Sequence, residues 1–255
     1  MQEYLQIAQD MALEAGAIML QHFGMGVEFE LKDDHTPLTK ADSEIQVMVT
    51  ERLTAAYPQH SLYGEEGRVI NDSEFVWVFD PIDGTAAFMR GIPTNVFAIA
   101  LVQDGMPILG VVYDPYMKRL YHAVRGEGAF LNGLPLKVSD RTELAGSYID
   151  VDGYKGFANA SFVERAVQEH VRILSYSSTL YAHMLVASGQ LEGVFFPLKN
   201  PWDCAAAKVI VEEAGGVTSD IQGAQQRYDT ETNGFISACT PAYHKKLVEM
   251  IATSL

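Results

Sequence analysis

Phe75-Val76-Trp77-Val78-Phe79-Asp80-Pro81-Ile82-Asp83-Gly84-Thr85 is an apolar run that ends on one carboxylate and meets a second three residues later. The run is rich in β-formers and predicts a buried strand. Pro81 has no N–H to give a ladder, so the strand is expected to stop near Asp80. Both aspartates then fall on a tight turn at a strand end, where ligands collect in α/β sheets. Two carboxylates held this close repel each other unless a cation lies between them. Gly84 and Thr85 are expected to open a helix, whose free N–H groups favour an anion. A cation site beside a phosphate site is what metal-assisted phosphoryl chemistry needs. Asp-Pro-x-Asp-Gly also describes an ordinary surface turn, so acidic residues elsewhere must decide.

Upstream, Leu5, Ala8, Met11, Ala12, Ala15, Ile18 and Met19 recur at helical spacing until Gly24. A second helix is expected from about Asp42 to Ala56, with Ile45, Met48, Val49 and Leu53 on its apolar face and Pro58 closing it. Between them Leu31 to Asp42 reads as polar and irregular. Downstream, Asn95–Gln103 and Ile108–Tyr113 flank the hairpin signal Asp104-Gly105. Leu120–Val124 and Ala129–Leu131 extend this antiparallel meander. Ser139 to Gly146 marks a lobe boundary, giving an N-terminal α+β lobe over 1–145 and a C-terminal α/β lobe over 146–255. In the second lobe, strands are expected near 147–152, 171–175, 193–197, 216–219 and 234–239. Helices are expected near 159–169, 178–188, 203–214 and 241–252, a rhythm that packs helices on a sheet.

The chain has 255 residues, 48% hydrophobic, enough for a sizeable core. Its net charge is −15, from 18 basic and 33 acidic residues. That disfavours a nucleic acid polymer or an anionic membrane as partner. A phosphate substrate would also be repelled unless bound divalent cations reversed the local field. The apolar run Val96 to Val102 is far short of a membrane span, and Met1-Gln2-Glu3-Tyr4 lacks the basic and apolar regions expected of a signal peptide. Two cysteines, Cys204 and Cys239, without a CxxC motif fit a reducing compartment. The expectation is a cytoplasmic protein. The seven histidines are scattered without a metal-spaced pair, and His183, on an apolar helix, is expected to pack. Neither a dinucleotide fingerprint nor GxSxG is present.

Two further acidic sites stand out. Gly64-Glu65-Glu66-Gly67 follows the strand-like Ser61–Tyr63, and Trp202-Asp203 precedes a helix, where Asp203 is also a natural cap. Together with Asp80-Pro81-Ile82-Asp83-Gly84-Thr85 and Pro201-Trp202-Asp203-Cys204-Ala205-Ala206, they make the chain resemble the inositol monophosphatase superfamily of magnesium-dependent, lithium-sensitive phosphatases. Pro37-Leu38-Thr39-Lys40-Ala41-Asp42, Gly110 to Pro115, Arg125 to Gly133 and Glu213-Ala214-Gly215-Gly216 also match, in family order over nearly the whole chain.

The resemblance implies a layered αβαβα sandwich with the site between two lobes, two or three Mg²⁺ ions per site, and a homodimer. One metal would be held by Glu65, Asp80 and the Ile82 carbonyl, and another by Asp80, Asp83 and Asp203. A third would lie near Glu65. Hard oxygen donors suit magnesium. Thr85, with Asp42 behind it, would hold the attacking water, and Glu65 completes the catalytic set. The N–H groups of Gly84 and Thr85 would hold the phosphate, with Asp83, Ser178, Phe196 and Asp203 also facing the substrate. The implied reaction is direct attack of a metal-activated water on the phosphate monoester of a small metabolite.

The substrate pocket departs from the inositol pattern. Phe196 stands where relatives tend to carry a glutamate that contacts sugar hydroxyls. Ser177-Ser178-Thr179 replaces a common Gly-Ser-Ala, and Ala86-Ala87 replaces a polar pair. Thr36 to Asp42 looks like the version in relatives that act on nucleotide bisphosphates or histidinol phosphate. A phosphatase for 3′-phosphoadenosine 5′-phosphate or histidinol phosphate, with Phe196 stacked on the ring, is therefore one alternative. A catalytically weak, metal-bound module that binds other proteins is another.

Overall fold

The computed structural model describes residues 1–32, 36–151 and 156–255. Asp33, Asp34 and His35 of the polar stretch, and Asp152 of the strand expected at 147–152, lie outside the described residues. Helix α1 (Gln2–His22) buries Leu5, Ala8, Met11, Ala12, Ala15 and Met19 on one stripe. Strands β1 (Phe29–Leu31) and β2 (Pro37–Thr39) pair antiparallel, where the sequence suggested irregular chain. Strand β1 is exposed and β2 half-buried to buried; each is only three residues long, and the alternation Val27-Glu28-Phe29-Glu30-Leu31 went unread. Helix α2 (Lys40–Ala56) follows, opened by a capping box between Thr39 and Asp42.

The central sheet begins with β3 (Ser61–Gly64), β4 (Gly67–Val69) and β5 (Phe75–Asp83). Strand β5 does not stop at Asp80. Asp80 pairs with Ala98 and Asp83 with Val96, so one extra residue is accommodated between them. Pro81 lies in this bulge, the one place inside a sheet where a missing N–H is tolerated. The single-turn helix α3 (Thr85–Phe88) comes next, then β6 (Val96–Gln103), β7 (Met106–Asp114), β8 (Arg119–Val124), β9 (Gly128–Leu131) and β10 (Leu134–Pro135). The eight strands run in the order β10-β9-β8-β7-β6-β5-β3-β4. Every neighbouring pair is antiparallel except β3 with β5.

The C-terminal part contains β11 (Tyr148–Asp150), α4 (Ser161–Gln168), β12 (Arg172–Leu174), α5 (Thr179–Ala187) and β13 (Gly193–Phe196). A 3₁₀ turn (Pro201–Asp203) leads into α6 (Ala205–Glu213), β14 (Val217–Ser219), β15 (Phe235–Ala238) and α7 (Pro241–Ile251). Its five strands are ordered β12-β11-β13-β15-β14.

Helices α1 and α2 cover one face of the large sheet, and α5 and α6 lie between the two sheets. Helices α4 and α7 cover the outer side, completing the αβαβα layers. Helix α6 is buried from Ala205 to Val211. It approaches so closely that a Cβ on Gly110 of β7 would lie 2.7 Å from Val209 and 2.8 Å from the Ala206 carbonyl. One hydrophobic cluster runs from Val78, Ala98 and Ala100 through α5 and α6 to Phe195 and Leu247. The end of β5 and the starts of α5 and α6 are thereby held together. No helix among the described residues is long and apolar enough to cross a membrane.

Candidate active site

A cleft of about 210 Å³ opens where β5 ends. Glu65, Asp80, Ile82, Asp83, Gly84, Thr85, Ser178 and Asp203 all line it. Within it, Asp80, Asp83 and Asp203 each place a carboxylate oxygen within 4.8 Å of the others. A larger groove of about 700 Å³ runs beside β1, β2 and the start of α2. Its acidic residues, Glu28 and Glu30, are exposed, so the electrostatic pressure that marks the smaller cleft is missing there.

Each aspartate is oriented by hydrogen bonds to nearby groups. Asp80 Oδ1 accepts from the Ile82 N–H at 2.9 Å. Asp83 reaches across to α5, accepting from the Ser178 hydroxyl at 2.5 Å and the N–H groups of Leu180 at 2.7 Å and Thr179 at 3.2 Å. Asp203 Oδ2 accepts from the Asn200 N–H at 2.8 Å in a capping box. Asp42 Oδ2 likewise accepts from the Thr39 N–H at 2.8 Å and the Thr39 hydroxyl at 2.5 Å, leaving Oδ1 3.5 Å from Thr85 Oγ1. The cap roles of Asp42 and Asp203 are thus real and do not compete with a site role, because a carboxylate has two oxygens.

Glu65 sits on the turn between β3 and β4, its N–H bonded to the Phe79 carbonyl at 3.2 Å. Gly64 before it is required by packing: a Cβ there would lie 2.6 Å from both Phe79 and Gln46. The Glu65 carboxylate is drawn to Lys32 Nζ at 2.6 Å, and the same ammonium bonds Glu66. Gly84 takes φ +89°, and a Cβ would stand 2.9 Å from Ser178 Cβ and 3.0 Å from the Ser177 carbonyl. Glycine is needed there for the left-handed backbone and for contact with Ser177 and Ser178 before α5.

The acids raise one another's proton affinity. Burial first, then Glu65, Asp83 and Asp203, push the Asp80 carboxyl well above its ordinary range. Burial and then Asp203 push Asp83 up to about 6. Burial takes Glu65 to about 7, against the pull of Lys32. Asp42 rises to about 6, chiefly through burial, with the Thr39 hydrogen bonds working the other way. Buried carboxylates in mutual repulsion are stabilised by a multivalent cation. The donor set fits a hard one: oxygen atoms only, with no thiol or imidazole on the described cleft walls.

Phe196 does not join this group. It is 1% exposed, on a strand buried at every position between α5 and α7. Its ring packs on His183 at 5.5 Å and carries Lys199 Nζ 4.9 Å from its centre. The open stacking face expected of it is not there. His183 is packed as expected: fully buried against Phe196 and Phe235, with burial lowering its pKa to about 3. Lys32 and Lys199 are site residues that sequence reasoning missed, since an isolated lysine carries no pattern. Their only sequence signal was position, Lys32 in the polar stretch and Lys199 just before Pro201-Trp202-Asp203.

Comparison with known proteins bears on these features. The model of the inositol monophosphatase family matches residues 1–255. A histidinol-phosphatase of Chlorobaculum parvum is 37% identical over 92% of this chain and 91% of its own. Inositol monophosphatase 1 of Solanum lycopersicum is 32% identical over 100% of this chain and 96% of its own. Among solved structures, the Thermotoga maritima IMPase superposes with a TM-score of 0.90 at 28% identity, covering 98% of this chain and 97% of that one.

Proposed function

The chain belongs to the inositol monophosphatase family and is a phosphoric monoester hydrolase, and we propose that it uses magnesium to hydrolyse a small phosphorylated metabolite by direct attack of water. The observation that carries this is the convergence of Asp80, Asp83 and Asp203 within 4.8 Å. Glu65 and the Ile82 carbonyl stand at the same cleft and complete the oxygen donors. Bound there, magnesium would supply an acidified water and neutralise phosphoryl charge.

The protein's own groups do the rest. The Thr85 hydroxyl lies 2.9 Å from the Ile82 carbonyl and 3.5 Å from Asp42 Oδ1. It has one proton, so donating to either leaves its lone pairs to accept from a water and aim it. Asp42, with its carboxyl near 6, is matched to holding a proton near neutral pH. The N–H groups of Gly84 and Thr85, at the turn into α3, are the donors assigned to the phosphate oxygens. Asp83 and Ser178 tie this turn to α5, so the two lobes close the site together.

The test is phosphate release from a panel of monoesters, with and without Mg²⁺ and with Li⁺ as inhibitor. Magnesium-dependent release is expected. Failure on every ester, with metal still bound, would favour a protein-binding module instead.

A further inference from the structure

Asn95 has no exposed surface, and an amide removed from water must find its hydrogen bonds inside the protein. Its Nδ2 donates to the Ile92 carbonyl at 2.8 Å, and its Oδ1 accepts from the Tyr116 hydroxyl at 2.5 Å. Tyr116 is itself fixed twice. Its N–H donates to the buried Asp114 carboxylate at 2.9 Å, and its ring centre lies 4.5 Å from that of Phe23 at the end of α1.

The sheet sets the place of Asn95. Val96 of β6 pairs antiparallel with Asp83, which puts Asn95 opposite Gly84 where that ladder ends. A Cβ on Gly84 would stand 3.3 Å from Asn95 Cβ, as well as 2.9 Å from Ser178 Cβ and 3.0 Å from the Ser177 carbonyl. Thr94 reinforces the same corner: its hydroxyl donates at 2.7 Å to the carbonyl of Tyr176, the residue before Ser177. The Ile92 carbonyl that Asn95 holds belongs to the chain leaving α3, and the Ile92 N–H donates to the Ala87 carbonyl of α3 at 3.0 Å. Asn95 thus holds the exit of α3 and abuts Gly84 at its entry. An apolar side chain could fill this space, but it could neither fix the exit nor accept from Tyr116.

We propose that Asn95, anchored by Tyr116, is a positioning residue for the phosphate-binding turn: it fixes the direction of the Gly84 and Thr85 N–H groups without touching the substrate. The proposal rests on the reading of that turn as the phosphate site. Donors that must converge on a phosphate lose affinity when their directions spread. The clustered aspartates have other supports: Asp80 is held by the Ile82 N–H, Asp83 by α5 and Asp203 by the Asn200 N–H. Loosening Asn95 therefore weakens phosphate binding and leaves magnesium binding in place.

The test measures, by calorimetry on the full chain, the affinity for Mg²⁺ and then, at saturating Mg²⁺, the affinity for inorganic phosphate. Tyr116→Phe removes one oxygen and keeps the ring on Phe23. Its phosphate affinity should fall about three- to tenfold, kcat/KM should fall with it, and Mg²⁺ affinity should be unchanged. Asn95→Leu should lower phosphate affinity about tenfold or more. Adding Tyr116→Phe to Asn95→Leu should cost little further, because Tyr116 acts through Asn95. Unchanged phosphate affinity in Tyr116→Phe would overturn the proposal, and that variant decides the matter even if Asn95→Leu fails to fold. So would equal losses of Mg²⁺ and phosphate affinity, or full additivity of the two substitutions, either of which would make the pair a general support of the fold. A wild type that binds Mg²⁺ but no phosphate breaks the reading of the Gly84–Thr85 turn, and the Asn95 proposal with it. A wild type that binds phosphate, with variants that bind it equally well, breaks the Asn95 proposal alone.

Discussion

At one end of the cleft Asp80 and Asp83, 2% and 4% exposed, face Asp203 with their oxygens within 4.8 Å. At the other end Glu65 and Glu66 share the ammonium of Lys32, and the three side chains are 20%, 14% and 21% exposed. Both ends crowd carboxylates. The first holds them by hydrogen bonds from backbone N–H groups and the Ser178 hydroxyl, with Lys199 Nζ 4.0 Å from Asp203. The second carries its own monovalent counter-ion, delivered from just after β1. The difference teaches where a metal contributes most: the aspartate end is preorganised and needs positive charge, whereas the glutamate end must give up a lysine before a cation takes its place.

The largest expected effect lies at the aspartate end. Asp83→Asn keeps the side chain's shape and can still accept from α5, but it removes a ligand charge. Phosphate release should fall about 10³-fold or more, with the circular dichroism of the fold retained. Near-normal turnover would remove Asp83 from the ligand set.

Magnesium should stabilise the protein next most strongly. At a hundredfold excess over Kd, the melting temperature should rise by roughly 5–10 °C. In the metal-free protein pH should act with a definite sign. Glu65 near 7 and Asp83 and Asp42 near 6 are raised above their unfolded values, so the folded state binds more protons than the unfolded one. Stability therefore increases as pH falls from 8 toward about 5. From about 6.5 downward His183, lowered to about 3, offsets part of this gain, because the unfolded state protonates first. Thermal melts should show a maximum in the weakly acidic range that magnesium moves to higher pH. Binding at pH 6.5 should release protons, seen as a buffer-dependent heat in calorimetry. A melt of the metal-free protein that only weakens from pH 8 to 6.5 would contradict the strain assigned to the aspartate end.

Lys32→Met probes the other end. Without the ammonium, Glu65 and Glu66 repel. Because the pair is partly solvated, the cost should be about 1 kcal/mol, lowering the melting temperature by roughly 2–4 °C. Saturating Mg²⁺ should recover it. If the loss persists with metal, Lys32 serves the fold and not the glutamates' charge.

The two ends also differ in how much of them could be read from the residues. Asp80, Asp83 and Asp203 stood in motifs whose order along the chain specified a site. Strand β5 and the meander β6–β9 were legible because their strands are runs of apolar β-formers and the hairpin carries its Asp104-Gly105 turn. The bulge at Pro81 was not, since proline stops a regular ladder but is tolerated where one residue is left unpaired. The β1–β2 hairpin escaped notice because its strands are three residues each and the short alternation of Phe29, Glu30 and Leu31 was passed over, and Lys32 because a lone cation carries no pattern. Phe196 misled for the opposite reason: a departure from a pattern drew it into the pocket, while burial on both faces of β13 keeps it out.

The smallest effect tests how firmly the aspartate end is built. Ser177, which packs against Gly84 just before α5, takes φ +57° without being glycine. That conformation costs a non-glycine residue about 1 kcal/mol, and the surrounding contacts must hold it in place. Ser177→Gly removes the strain but loosens the unfolded chain by a comparable amount, about 0.5–1 kcal/mol. The net change should be a gain of no more than about 0.5 kcal/mol, or roughly 1–2 °C in melting temperature. A clear drop would mean that the Ser177 side chain itself holds the Gly84 turn. The preorganisation credited to Asp83 and Ser178 would then be shared with it.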